Sequence, residues 1–133
     1  MLNLEIITPE RTVVKDEVDV VEATGAEGEF GIMPGHTQFL TTLRIGEIRY
    51  RKGSETTYIA SSGGFAEVVD DKVTLLVDTA ESAKEIDVER AKKAMDRAEA
   101  LLKTMAYDHT EYRMMEMALL RAIARIGVAS KKI

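Results

Sequence analysis

Two hydrophobic periods divide this chain, and the first, of two residues, is typical of β-strands. Leu2, Leu4 and Ile6 alternate with polar neighbours, which is the pattern of a strand with one buried face. Two later pairs of apolar runs each flank a short polar turn, at 46–51 with 56–61 and at 65–69 with 72–77. Closely spaced strands and hairpins of this kind favour a small β-sandwich or barrel, without helices before residue 80.

The second period begins near residue 88 and is typical of amphipathic helices. Apolar residues recur at steps of three and four in two stripes, Val88, Ala91, Met95, Ala98, Leu102 and Met105, then Tyr112, Met115, Leu119, Ala122 and Ile126. Asp87 is placed to cap the first helix, and residues 108–111, Asp-His-Thr-Glu, resemble a capping box for the second. The break at 106–109 is so short that the helices are expected to be antiparallel neighbours.

These patterns predict an α+β chain, mainly β and then α. An N-terminal antiparallel β-sandwich is followed by a C-terminal antiparallel two-helix hairpin, with domains at 1–84 and 85–133. The stripes of the hairpin are rich in alanine and methionine, which provide little apolar area. The hairpin is therefore expected to need the sandwich, a ligand or a partner for its stability.

Composition sharpens this division. The 133 residues carry a formal charge of −5 and no cysteine. Residues 1–80 hold 14 acidic and 7 basic residues, a balance of −7, whereas residues 81–133 hold 9 and 11, a balance of +2. The acidic balance argues against a nucleic-acid partner, and the missing thiols exclude disulfides and cysteine chemistry. No apolar run approaches the ~20 residues of a membrane helix, so membrane contact is expected only through a partner.

The segment at 28–36, Gly-Glu-Phe-Gly-Ile-Met-Pro-Gly-His, is dense in glycine. Taken alone, it is either a loop of tight turns or an exposed loop that contacts a partner. It lacks the lysine and hydroxyl of a phosphate-binding loop. His36 has no neighbouring ligands for a metal, and Ser61 and Ser62 lie outside a nucleophile elbow. We therefore expect neither a metal site nor a catalytic site.

Arginines line the predicted helices next to the apolar stripes. Arg90 and Arg97 share one face of the first helix with Asp87, and Arg121 and Arg125 lie one turn apart on the second. In an antiparallel hairpin these four guanidinium groups converge, which suits a polyphosphate. The alternative is a solvated face of surface ion pairs.

Three motifs in register resemble the ε subunit of F-type ATP synthase: 28–36, Ser-Gly-Gly-Phe-Ala-Glu-Val at 62–68, and Ile-Asp-Val-Glu-Arg-Ala at 86–91. The resemblance runs from about Leu4 to Val128. It implies a noncatalytic rotor subunit that binds the γ subunit and the c-subunit ring and couples proton translocation to ATP synthesis. It also implies mobile C-terminal helices that inhibit hydrolysis by extending into the α/β catalytic hexamer, at the cytoplasmic face of the bacterial membrane. The alternative is a free-standing ATP-sensing module.

The resemblance also assigns residues. No cofactor is required, but ATP is implied as a regulatory ligand of the folded-down hairpin. Met114 stands where the strongest ATP binders of the family carry an arginine, so a weaker affinity is expected. The implied ATP-binding residues are Glu81, Ile86, Asp87, Arg90, Ala91, Arg97, Arg121 and Arg125. The implied c-ring contacts are Glu29, Phe30, Gly31 and Ile32, and the implied γ contact is His36.

Overall fold

Strands form the first part of the molecule and helices the last. A computed structural model of the protein describes residues 1–131. The strands are β1 (Leu2–Ile7), β2 (Thr12–Val18), β3 (Val20–Gly25), β4 (Gly28–Ile32), β5 (Phe39–Lys52), β6 (Glu55–Ser61), β7 (Gly64–Val69), β8 (Lys72–Val77) and β9 (Ala80–Ser82). A 3₁₀ turn, Ala83–Glu85, leads into α1 (Val88–Thr104) and α2 (Tyr112–Ala129). The predicted α+β class, a β-sandwich followed by a helical hairpin, is confirmed.

Two layers of strands form the sandwich, and the long strand β5 belongs to both. One layer has the order β2, β1, β8, β7 and the first half of β5. The second half of β5 pairs with β3 and β6, which in turn pair with β4 and β9. The predicted antiparallel sandwich contains one parallel pair, β1 with β8, in which Leu4 lies opposite Val73. These strands are distant in the chain, so no hairpin fixes their relative direction.

An aliphatic core lies between the two layers. The inward residues of β1 are the predicted ones, since Leu2, Leu4 and Ile6 are buried. They share a cluster with inward residues of the other layer, Val21, Ala23, Ile32, Ile48 and Ile59. All the buried members of this cluster come from the strands, so the sandwich core is complete without the helices.

The glycine-rich segment that the sequence predicts as a loop contains a strand. Residues 28–32 form β4, which pairs antiparallel with β3 across a two-residue turn. Gly28 adopts a φ of +121°, which L side chains rarely tolerate, so this turn requires a glycine. The expectation of a loop at 28–32 is therefore wrong, because here glycine permits a tight turn between two paired strands.

The caps of the two helices differ in their agreement with the sequence. Asp87 caps α1 as predicted, since its Oδ1 accepts a hydrogen bond from the backbone N–H of Arg90 at 3.1 Å. The predicted capping box at 108–111 is wrong, because α2 begins later and its N-cap residue, Glu111, makes no side-chain hydrogen bond. The backbone N–H of Glu111 donates instead to Nδ1 of His109 at 3.0 Å. The connection between the helices is longer than predicted as a result.

The hairpin docks on the sandwich through α2. Ala60 of β6 and Ile86 form a small buried cluster with Val128 and Ala129, at the end of α2, which we call the docking cluster. Val88, the first residue of α1, packs against the same cluster, so the helices are antiparallel as predicted. The hairpin thus rests on the sandwich, which is one of the three supports that its composition predicts. Within residues 1–131, no helix is long and apolar enough to span a membrane.

Candidate functional site

A cleft lined by arginines and carboxylates lies where α1, α2 and β9 meet. Its volume is about 360 Å³. Its lining residues are Glu81, Glu85, Asp87, Arg90, Ala91, Ala94 and Arg125. Five of these belong to the implied ATP-binding set, so the fold brings together residues from three separate elements. We call this space the arginine cleft.

An ion pair between β9 and α2 crosses the arginine cleft. Arg125 donates through Nε to Oε1 of Glu81 at 2.6 Å, and each side chain is about one-third exposed. Arg121 lies one turn before Arg125 and faces a crevice that adjoins the cleft, next to Ser61, Ser62 and Thr79. The two arginines of α2 therefore lie on the side of the helix that faces the sandwich.

Two members of the implied ATP-binding set have apolar side chains, and one charged member lies outside the cleft and its adjoining crevice. Ile86 is buried in the docking cluster below α2, and Ala91 is buried in the wall of the cleft. Neither presents a polar side chain to a ligand, so their contributions are packing and backbone. Arg97 is exposed two turns beyond Arg90, about 10 Å along α1, and does not line the cleft. Of the four guanidinium groups expected to converge, Arg90 and Arg125 share the cleft, and Arg121 lines the adjoining crevice with Arg125.

The arginine cleft holds both hydrogen-bond donors and acceptors, since two guanidinium groups and the carboxylates of Glu81, Glu85 and Asp87 line it. Guanidinium groups grip two oxygens of a phosphate at once, and the carboxylates of Glu81 and Asp87 accept hydrogen bonds from a base or sugar. Among residues 1–131, the structure brings no acidic or histidine side chains together in a group suited to a metal ion. Sequence reasoning missed Glu85 as a lining residue. The spacing of Ser82 and Glu85, which matches a capping box, would have located it.

The implied c-ring segment is the strand β4, at one edge of the sheet. Its side chains alternate between the solvent and the core. Glu29 and Gly31 are exposed, whereas Phe30 is half-buried and Ile32 is fully buried. The ring of Phe30 packs edge-to-face against Phe39, with centroids 5.2 Å apart. A partner that meets this strand would therefore contact Glu29 and Gly31, while Ile32 supports the strand from inside.

His36 lies in the loop between β4 and β5. Its Nδ1–H donates to the carbonyl oxygen of Thr37 at 2.8 Å, and its ring packs against Phe39 with centroids 5.6 Å apart. Both contacts of the ring are therefore local, to the loop and to the first residue of β5. A role in contacting a partner stays a prediction.

Beyond His36, an exposed apolar patch covers the outer face of the layer that α2 leaves open. Leu40 is 70% exposed, Phe65 56% and Leu76 51%. Phe65 lies directly opposite Leu76 in the β7–β8 pair, and Leu40 lies on the adjacent β5. We call these three residues the sandwich patch. The sequence alone does not reveal this patch, because an apolar residue within a strand is expected to face the core, and nothing local marks the ones that face solvent.

Comparisons with known proteins agree over residues 1–130. Residues 1–83 match the family model described as "ATP synthase, Delta/Epsilon chain, beta-sandwich domain". Residues 77–130 match the model described as "ATP synthase, Delta/Epsilon chain, long alpha-helix domain". The chain is 51% identical over 130 residues to the ATP synthase epsilon chain of Geobacter sulfurreducens, covering 98% of this chain and 94% of that one. It is 48% identical over the same shares to epsilon chain 1 of Syntrophotalea carbinolica.

Two solved assemblies contain similar chains. One chain of the Euglena gracilis mitochondrial ATP synthase, in a structure of OSCP, F1 and the c-ring, aligns with a TM-score of 0.84 and 26% identity. The alignment covers 97% of this chain and 81% of that one. A chain from the central stalk and c-ring of the Tetrahymena thermophila enzyme aligns with a TM-score of 0.58 and 14% identity, over 98% and 94% of the two chains, which supports the fold alone.

Proposed function

This chain belongs to the ATP synthase delta/epsilon chain family, and from that premise we propose that it is a regulatory subunit of the central stalk. It holds the γ subunit to the c ring and so helps to couple proton translocation to ATP synthesis. Its helical hairpin inhibits ATP hydrolysis when it extends into the α/β catalytic hexamer. It carries no catalytic residues of its own and reaches the cytoplasmic face of the bacterial membrane only through the complex.

The apolar surface of α2 is the observation that carries the inhibitory part of this proposal. In the docked hairpin, one side of α2 faces α1 and another faces the sandwich. A third side still leaves Met117, Leu120 and Ile123 between 36% and 48% exposed. Docking therefore leaves part of the apolar surface of α2 exposed, and this surface is suited to a second partner. Methionine-rich surfaces adapt readily to such alternative packing.

Two separate surfaces of the sandwich support its two proposed partners. The sandwich patch offers exposed apolar area for the γ subunit. His36 lies near it in sequence, in the loop that leads into β5. The edge strand β4 offers the exposed Glu29 and unpaired backbone groups to the polar loops of the c ring. Because these surfaces belong to the rigid sandwich, both contacts are independent of the position of the hairpin.

ATP is proposed as the ligand that favours the docked hairpin. Its phosphates bind Arg90 of α1 and Arg125 of α2. The carboxylate of Glu81, on β9, accepts a hydrogen bond from the base or sugar of the same ligand. A molecule that touches all three elements binds the docked state alone and stabilises it by mass action. Arg97 and Arg121 then move toward the ligand by changes of side-chain rotamer. Met114 lies three turns before Arg125, and its neutral side chain leaves the affinity lower than in relatives with an arginine there.

The test is a reconstituted ATP synthase that contains this subunit truncated after Ile86. We expect ATP hydrolysis to rise several-fold while the truncated subunit still co-purifies with γ, since the sandwich core is complete without the helices. Unchanged hydrolysis in an intact complex would contradict the inhibitory role. Failure of the full-length chain to co-purify with γ would favour the free-standing ATP-sensing module instead.

A further inference from the structure

The arginine cleft continues toward the sandwich into a second hollow. This hollow has a volume of about 240 Å³ and shares Glu81, Glu85 and Arg125 with the cleft. The turn between β1 and β2 forms its far wall and contributes the side chain of Arg11. The ion pair of Glu81 and Arg125 therefore stands between Arg90 on one side and Arg11 on the other. The two spaces adjoin, and their lining includes guanidinium groups from three parts of the chain. Five carboxylates line them as well, those of Glu10, Asp78, Glu81, Glu85 and Asp87, so a bound anion would need every guanidinium group within reach.

Glu85 holds Arg11 at the edge of this region. One carboxylate oxygen, Oε1, accepts hydrogen bonds from the backbone N–H and the hydroxyl of Ser82, at 3.4 and 3.0 Å. The other, Oε2, lies 3.1 Å from Nη2 of Arg11. The capping interaction thus fixes the carboxylate, and its second oxygen is free to hold the guanidinium.

The backbone of Arg11 is held separately from its side chain. Its N–H donates to Oγ1 of Thr8 at 3.2 Å, and its carbonyl oxygen accepts from the N–H of Thr8 at 2.9 Å. The side chain itself is 55% exposed and Glu85 is 44% exposed. An ion pair this open to solvent is weak, so the guanidinium exchanges partners at little energetic cost.

We infer that Arg11 is a further phosphate-binding residue of the arginine cleft. Its guanidinium pairs with Glu85 in the absence of ligand and binds a polyphosphate when one is present. This inference rests on the proposed binding of ATP. On binding, the guanidinium leaves Oε2 of Glu85 and takes a phosphate oxygen, a stronger acceptor that it can grip with two N–H groups. Arg11 supplies the sandwich side of the site with the charge that Met114 does not supply on α2.

The test uses isothermal titration calorimetry of the full-length chain with ATP and with inorganic tripolyphosphate. Arg11→Gln should weaken binding of both ligands about tenfold, the low end for one charge-assisted hydrogen bond. Glu85→Gln should strengthen both about threefold, because it releases Arg11 from its ion pair and removes a carboxylate from the lining of the cleft. Glutamine still accepts hydrogen bonds from Ser82, so the capping interaction is kept. Arg113→Gln, which removes an arginine paired within α2 to Glu116, is the matched control and should change neither affinity.

Arg11→Gln is the decisive variant, and the sign of the Glu85→Gln effect separates a ligand from a purely structural ion pair. If the ion pair of Arg11 and Glu85 only stabilised the docked hairpin, both variants would weaken binding, and that result would overturn the inference. Wild-type binding with an unchanged Arg11→Gln affinity would also overturn it while leaving the ATP site intact. No binding by the wild type at millimolar ATP would refute the proposed nucleotide site and, with it, the role of Arg11.

Discussion

Val128 is the residue on which the docking of the hairpin depends most directly. It has no exposed surface and lies in the small cluster with Ala60, Ile86 and Ala129. Val128→Ala removes two buried methyl groups, each worth about 0.8 kcal/mol of transfer free energy, and leaves a small cavity. The expected loss is about 1.5–2.5 kcal/mol. At 1.4 kcal/mol per factor of ten, the undocked population should rise by roughly 10–60-fold.

Native-state hydrogen exchange of the isolated full-length chain measures this shift. Amides of α2 that exchange by undocking should exchange at least tenfold faster in Val128→Ala, while amides of β1 and β8 keep their rates. The strands are unaffected because their core contains no helical residue among its buried members. The same variant in the assembled complex should lower ATP hydrolysis, since it favours the extended hairpin of the proposed mechanism.

Ile123→Ala is the matched control for this experiment. Ile123 lies on α2, five residues before Val128, but it is 48% exposed and outside the docking cluster. Its truncation removes more carbon atoms than Val128→Ala and should still leave the exchange rates of α2 within about twofold. Equal acceleration of helix and strand amides in Val128→Ala would refute the reasoning, because the hairpin and the sandwich would then unfold as one unit.

Two further predictions concern the sandwich. Gly64→Ala should leave little folded protein in a thermal denaturation assay, because a Cβ there would stand 1.9 Å from the carbonyl oxygen of Leu76; Gly31→Ala, with 3.7 Å of space, is the control. The hydrogen bond from Lys52 lowers the pKa of Asp16 below its ordinary 3.8, so the pair stabilises the fold above that pH and ceases to do so as pH falls through the lowered value. Lys52→Gln should raise the Asp16 pKa in an NMR titration, and an unmoved pKa would contradict the assignment.

The elements that the sequence predicts well are those whose burial follows a local period. The alternation in β1 and the two helical stripes match the observed burial, because each element has one face toward apolar neighbours. The strand β4 was not predicted by this periodicity. Only Phe30 and Ile32 alternate in it, and its remaining positions are glycines and one glutamate, which predict a loop. The parallel pairing of β1 with β8 is equally hidden, since it joins strands far apart in the chain.

The candidate site shows the same limit of local reasoning. Arg90 and Arg125 are placed in one cleft by the antiparallel hairpin, which the sequence predicts from the short connection. Arg11 reaches that region from the β1–β2 turn, 74 residues away from its partner Glu85. No period or spacing relates two such positions, because their proximity results from the way the hairpin docks on the sandwich. Residues that complete a site across a docked interface are therefore the ones that sequence patterns miss.

The separation of the two clusters supports the proposed movement of the hairpin relative to the sandwich. The sandwich core is filled from the inner faces of its strands, and the docking cluster lies outside it, on the outer face of β6. Undocking of α2 exposes Ala60 and Ile86 but opens no part of that core. One bound ligand can reverse a free-energy difference of a few kcal/mol between two such states. Arg11, Arg90 and Arg125 contribute from the turn, from α1 and from α2, so a ligand held by all three would act on this difference directly.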